Sequence, residues 1–392
     1  MIANTVLGDR LSLLGFGMMR LPVRADGEID EEKVFEMTDI AVSGGVNYFD
    51  TAYPYHGGMS EIVTGRALRR YPRESWNLAS KFPGHQIADS YDPAGVFEEQ
   101  LRKCGVEYFD YYLLHNVYEN SLSVYTDPKW GIIEYFIRQK EEGRIRHLGF
   151  SSHGNIDCLQ SFLDLCGKEM EFCQIQLNYL DWTLQNAAAK YRLLRERNVP
   201  VWVMEPLRGG RLCRLTGEQE GILRSAGRTE NAAGWAFRFL QGLPGIGMIM
   251  SGMSSAEQVR ENVSVFGSAD PLTSAQTELL LCLADSMKNS LPCTACGYCR
   301  EGCPEGLDIP MLISAYNELR FGPEAGQTPA MQIEALPEDK LPSACIGCGA
   351  CSAVCPQKID IPGAMKDLGA VLSTIPSWRS VSEARAKNQR RF

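Results

Sequence analysis

Several things are missing from this chain, and each absence removes a class of protein. No run of 18 consecutive apolar residues occurs, so no membrane-spanning helix is expected. The opening residues Met1-Ile2-Ala3-Asn4 lack a basic region followed by an apolar one, so no secretory signal is expected, and the location implied is cytoplasmic. Positive charge is in deficit: 39 Lys and Arg stand against 48 Asp and Glu, a net charge of −9. That balance argues against a general nucleic-acid binder and against attraction to an anionic membrane. A glycine-rich phosphate turn is also missing. Gly15-Phe16-Gly17 lacks the third glycine and the tight helix start that a doubly wound dinucleotide fold requires.

What the chain does have is alternation. Eight strand candidates each precede a helix candidate: Leu11–Phe16, the stretch from Val46, Trp76–Phe82, Phe109–His115, Arg146–Ser151, Phe172–Asn178, Val199–Met204 and Ile246–Ser251. Helices are expected over 31–43, 60–69, 93–103, 131–142, 156–165, 187–197, 231–240 and 256–266, with Asp30 as a cap and Pro93 in a first turn. Eight such units in about 250 residues are the size of a (β/α)8 TIM barrel, an α/β fold. A further helix over 275–285 closes this part.

Cysteine, by contrast, is plentiful: 14 residues, eight of them in two runs. Cys293, Cys296, Cys299 and Cys303 are followed by Pro304, and Cys345, Cys348, Cys351 and Cys355 by Pro356. The offset of 52 extends to Asp308-Ile309-Pro310 against Asp360-Ile361-Pro362, so the segment is an internal repeat. Two Cys-x2-Cys-x2-Cys-x3-Cys-Pro runs suit two [4Fe-4S] cubanes, because thiolates are soft ligands for iron. Structural zinc would need only paired Cys-x2-Cys knuckles. In two-cluster ferredoxins the fourth cysteine of each run serves the other cluster, which groups Cys293, Cys296, Cys299 with Cys355, and Cys345, Cys348, Cys351 with Cys303. The connector 311–342 carries a helical pattern, so the segment resembles the α-helical type of dicluster ferredoxin domain. The expected organisation is a barrel over 1–287, a small, mainly α-helical ferredoxin-like iron–sulfur domain over 288–376, and a basic tail over 377–392, solvated or loosely docked. The other six cysteines sit at no ligand spacing and are expected to be buried or incidental thiols.

Four side chains fall where a barrel keeps its chemistry, at the carboxyl ends of strands. Asp50 ends the second strand and Tyr55 lies in the loop beyond it. Lys81 ends the third strand and His115 the fourth. Hydride reduction of a carbonyl needs a proton donor for the developing alkoxide. Tyr55 can be that acid, with Lys81 lowering its pKa, Asp50 holding the ammonium and His115 orienting the substrate oxygen. These residues, with Ser80-Lys81, Leu113-Leu114-His115, Gly149-Phe150-Ser151-Ser152, Gln174 before Asn178, and Glu257-x3-Glu261-Asn262, make residues 8–266 resemble an aldo/keto reductase.

The resemblance implies a small carbonyl or alcohol substrate and a nicotinamide cofactor. It assigns Ser151, Ser152 and Gln174 to the nicotinamide carboxamide and Met204 to the ring face. Ser251, Gly252, Gln258, Glu261 and Asn262 fall to the adenosine end. Gly252 and Gln258 supply no cation for a 2′-phosphate and only Arg260 stands nearby, which leans the choice between NAD(H) and NADP(H) toward NAD(H). No fingerprint indicates a flavin, although a barrel can bind one without it. A hydride carries two electrons and each cluster one, so the coupling of the two halves stays open. The rival reading is an electron-transfer or docking protein, whose clusters serve a redox-partner protein while the barrel is a scaffold or flavin-binding module.

Overall fold

In a computed structural model the protein is described over residues 1–86, 88–287, 291, 293, 297–320, 328–355 and 357–388. An antiparallel hairpin of β1 (Ala3–Val6) and β2 (Asp9–Ser12) comes first. Eight parallel strands then close a barrel: β3 (Leu14–Gly17), β4 (Tyr48–Asp50), β5 (Asn77–Phe82), β6 (Phe109–Val117), β7 (Ile145–Ser152), β8 (Cys173–Gln176), β9 (Val201–Met204) and β10 (Ile246–Gly252), with β10 paired to β3. The expected first strand, Leu11–Phe16, is therefore two elements that break at Leu13. Its first half belongs to the hairpin because Ser12 and Asn47 exchange backbone-to-side-chain hydrogen bonds (2.7 and 3.1 Å), which tie the hairpin to the start of β4. Leu11 and Val6 then pack with Tyr48, Tyr111 and Trp202 inside the barrel.

Side chains on the other face of the strands pack against the surrounding helices in one continuous core. The helix starts follow local chemistry. Asp30, Asp92, Asn155, Asn231 and Ser255 each accept a backbone N–H from the first turn they cap. Among the described residues the barrel helices Glu119–Thr126, Asp181–Leu184 and Gly217–Ser225 were not anticipated. The last opens on a capping box of Thr216 and Gln219, a signal present in the sequence.

The repeat survives in three dimensions. Gly297 and Gly349, 52 residues apart, both adopt left-handed backbone (φ 81° and 75°) and open the short helices Tyr298–Glu301 and Ala350–Ala353. The Asp-Ile-Pro copies start the helices Ile309–Arg320 and Ile361–Thr374, with Asp308 and Asp360 accepting first-turn N–H groups. Thr328–Glu334 lies between them. The basic tail departs from expectation. It forms the helix Trp378–Asn388, and Trp378 is only 5% exposed. Among the described residues no helix is long and apolar enough to cross a membrane.

The second domain is joined to the barrel by buried polar groups. Glu318, on Ile309–Arg320, is 2% exposed. Gln185 donates to it (2.7 Å), and Arg208 lies 3.7 Å away while also pairing with Asp181 at 3.1 Å. Burial raises the Glu318 carboxyl to about 8, against the pull of Arg208. Between its ordinary value of 4.5 and about 8 the folded chain keeps a proton that the unfolded chain has released. Stability therefore falls as pH rises through this window. Glu318→Gln should abolish that part of the slope, so its melting temperature should gain on wild type between about pH 5 and 8. Parallel melting curves against pH would contradict the assignment.

Candidate active site

The mouth is built by strand ends. β4 places Asp50 beside Ala79 of β5, so Lys81 stands two residues further along the neighbouring strand. The Lys81 ammonium donates to Asp50 Oδ1 at 2.5 Å and to the Thr51 carbonyl at 2.7 Å. Lys81 is 1% exposed and Asp50 4%. Burial works against the Lys81 charge, but Asp50 and Tyr55 outweigh it and raise the pKa. Tyr55 reaches Lys81 through a tight loop. His56, Gly57 and Gly58 all take positive φ (51°, 61° and 91°), a sequence of left-handed residues in which the glycines meet no Cβ penalty. Lys81 Nζ lies 5.1 Å from the Tyr55 ring centre, close enough for its charge to favour the phenolate.

His115 is aimed by an irregularity. The pairing of β6 with β7 shifts register between Leu114 and Val117, and Asn116 adopts φ 58°. Such bulges redirect side chains near sites. The His115 ring meets that of Tyr55 edge-on, with centres 5.8 Å apart. All four expected residues thus come together. One expectation is reversed: burial outweighs Lys81 and raises the Tyr55 pKa above the ordinary phenol value, with Asp50 and Glu205 adding to the rise.

A buried network behind the strand ends was invisible in the sequence. Ser80 donates to Glu61 (2.6 Å), and Gln100 donates to Glu61, Ser80 and the Lys81 carbonyl (2.7, 2.8 and 3.1 Å). Lys103 pairs with Glu61 at 2.6 Å, both fully buried. Glu61 and Lys103 read only as helix residues because the pattern gives no sign that they face each other.

The positions assigned to a nicotinamide are mixed. Ser151 accepts the Asn116 N–H (2.8 Å) and keeps its own proton to donate. Ser152 donates to the Val117 carbonyl and accepts the Gly154 N–H, so its hydroxyl is engaged. Gln174 is buried, and its Oε1 has no hydrogen-bond partner among the described residues. That orphan acceptor fits an amide N–H, and the cradle fits a carboxamide. Met204 is partly exposed at the end of β9. Asn262 donates to Ser251 (3.0 Å), Gln258 accepts the Ser254 N–H, and Glu261 accepts from Asn231. Arg260 pairs with Glu36 on the neighbouring helix (3.2 Å). The cation beside Gly252 is instead Arg20, which also lies 4.0 Å from Glu205. Arg20 sits just after β3, where nothing in its spacing marked it.

In the second domain Cys303, Cys345, Cys348 and Cys351 line one small hollow, walled otherwise by Leu307, Ile309 and Met365 among others. Among the described residues no three ligand side chains close to the distances of a single ion. Four thiols around a shared apolar space fit a cluster. Cys293, Cys299 and Cys355 join the same domain core, while Cys296 lies outside the described residues. Of the six other cysteines, Cys104, Cys158 and Cys173 are buried and Cys166 is half-buried, but Cys213 and Cys282 are exposed.

Residues 13–280 match the aldo/keto reductase family. The chain belongs to that family. Residues 292–359 match a 4Fe-4S dicluster domain, so this is an aldo/keto reductase-type oxidoreductase with an iron–sulfur domain attached. It is 24% identical over 282 residues to an NADH-specific methylglyoxal reductase of Escherichia coli, covering 61% of this chain and 84% of that one. A probable aldo-keto reductase of Glycine max is 31% identical over 152 residues, 37% of this chain and 42% of the other. Among solved structures, a holo-form aldo-keto reductase from Bacillus halodurans superposes with a TM-score of 0.59 at 25% identity, covering 72% of this chain and 96% of that one.

Proposed function

We propose that the protein interconverts small carbonyl compounds and alcohols with a nicotinamide nucleotide, and that Tyr55, Lys81, Asp50 and His115 carry the proton chemistry. The observation that carries this reading is the buried Lys81 ammonium, held 2.5 Å from Asp50 with its Nζ 5.1 Å from the Tyr55 ring centre. The nicotinamide, when bound, supplies the hydride to the carbonyl carbon. Tyr55 gives its proton to the carbonyl oxygen, so C=O becomes CH–OH, and His115 holds that oxygen in line. The phenolate left behind is stabilised by Lys81, which offsets the burial penalty at Tyr55. Asp50 keeps Lys81 charged and in place. Ser151 and Gln174 would hold the carboxamide. The name of the bacterial relative supports short aldehydes with NADH as the first combination to try.

Cys345, Cys348, Cys351 and Cys303 would hold one [4Fe-4S] cluster, and Cys293, Cys296, Cys299 and Cys355 a second. Such clusters pass single electrons, which supports a redox-partner protein as the other party to the iron–sulfur domain. Two measurements test the two halves. Tyr55→Phe should lower carbonyl reduction by roughly 10²–10⁴-fold while nucleotide affinity is kept, since it deletes the acid alone. Wild-type turnover in that variant would refute the assignment. Anaerobic protein should contain about eight iron and eight labile sulfides, and Cys303→Ser should bleach about half of the cluster absorption. Stoichiometric zinc without sulfide would exclude clusters.

A further inference from the structure

Asp50 and Lys81 are buried, while Tyr55 and His115 are half-buried at the mouth. Pro83 and Gly84 lead from the end of β5 to His85, which is 5% exposed. The Tyr125 hydroxyl donates to the Phe82 and His115 carbonyls (3.1 and 2.7 Å), binding the two strand ends on either side of this turn. The His85 ring lies 4.3 Å from that of His115. On its other side the Trp378 indole lies nearly parallel to it, at 28° and 6.3 Å. The rings of Tyr55, His115, His85 and Trp378 therefore form a row from the proton donor to the last helix of the chain.

Trp378 is fixed in that row. It packs with Tyr118 and Met331, and Val381 lies against them. Glu334 accepts the backbone N–H groups of Trp378 and Arg379 (2.5 and 3.1 Å), so the iron–sulfur domain caps the helix that carries the indole. The same helix touches the segment from Tyr55 to Gly58. Trp378 lies beyond both regions matched to known families, which end at 280 and 359.

We propose that His85, backed by Trp378, is the outer wall of the substrate site, so that the C-terminal helix limits this enzyme to compact carbonyl compounds. The inference rests on the carbonyl-reducing reading of the mouth. A planar indole held by packing and a capped helix keeps His85 from yielding, and a bulky substituent on the carbonyl carbon would meet that imidazole. Removing a steric boundary of this kind changes discrimination between homologous substrates by about tenfold or more.

The test is Trp378→Ala in the full-length, cluster-loaded protein, with aldehydes running from two carbons to branched and aromatic ones. Selectivity is read as the ratio of kcat/KM for bulky over small substrates, and separately as the ratio of their Kd values by calorimetry. Both ratios should rise about tenfold, and Trp378→Phe should rise less because a ring remains. Iron content and nucleotide affinity report that the fold is kept. An equal gain for all sizes would make Trp378 a plug and overturn the wall, as would an unchanged ratio. Loss of iron or of nucleotide binding in both variants would make Trp378 a purely structural contact and overturn it too. Tyr55→Phe measured alongside separates the two readings: if it keeps wild-type turnover the carbonyl chemistry falls, while the Kd ratio still decides the wall.

Discussion

The Lys81 ammonium is buried at the barrel mouth, bonded to Asp50 and the Thr51 carbonyl, with the Tyr55 ring centre 5.1 Å away. An ammonium this deeply buried persists only because a carboxylate is buried with it. Breaking such a pair by removing one partner costs about 3–5 kcal/mol. Most of what surrounds it serves to hold this pair. Gln100 fixes the Lys81 carbonyl, Glu61, itself paired with Lys103, holds Gln100, and a left-handed turn from His56 to Gly58 follows Tyr55. In the proposed reaction Tyr55 is subject to an energetic conflict, burial raising its pKa and Lys81 opposing.

The iron–sulfur domain is more than an appendage on this barrel. Glu318 enters the polar network around Arg208 and Asp181, and Glu334 caps the helix that brings Trp378 to His85. Both contacts end at the barrel mouth. The second domain thus has two structural lines to the barrel, one polar and one aromatic. Neither by itself converts a two-electron hydride into single electrons, and among the described residues there is no dinucleotide fingerprint to supply a flavin.

The barrel was legible because its information is local. Alternating apolar strands, capped helices and acids or bases at strand ends are each readable over ten residues. The cysteine spacing was readable for the same reason. What escaped depends on three-dimensional pairing. Leu11 and Ser12 looked continuous with β3, but hydrogen bonds to Asn47, 35 residues away, draw them into the hairpin. Arg260 looked available to a phosphate until Glu36 claimed it, and Arg20 gave no sign of covering Gly252. Trp378 stood in a basic, polar tail, and only the fold shows the ring it meets.

The central claim is that Lys81 offsets the burial of Tyr55. Its most direct test is the pH dependence of kcat/KM for carbonyl reduction in wild type and Lys81→Met. Reduction requires protonated Tyr55, so activity falls as pH rises through the apparent pKa of the Tyr55–Lys81 pair. Removing the ammonium should slow the reaction and move the alkaline limb to higher pH. Superimposable profiles at equal rates would contradict the account.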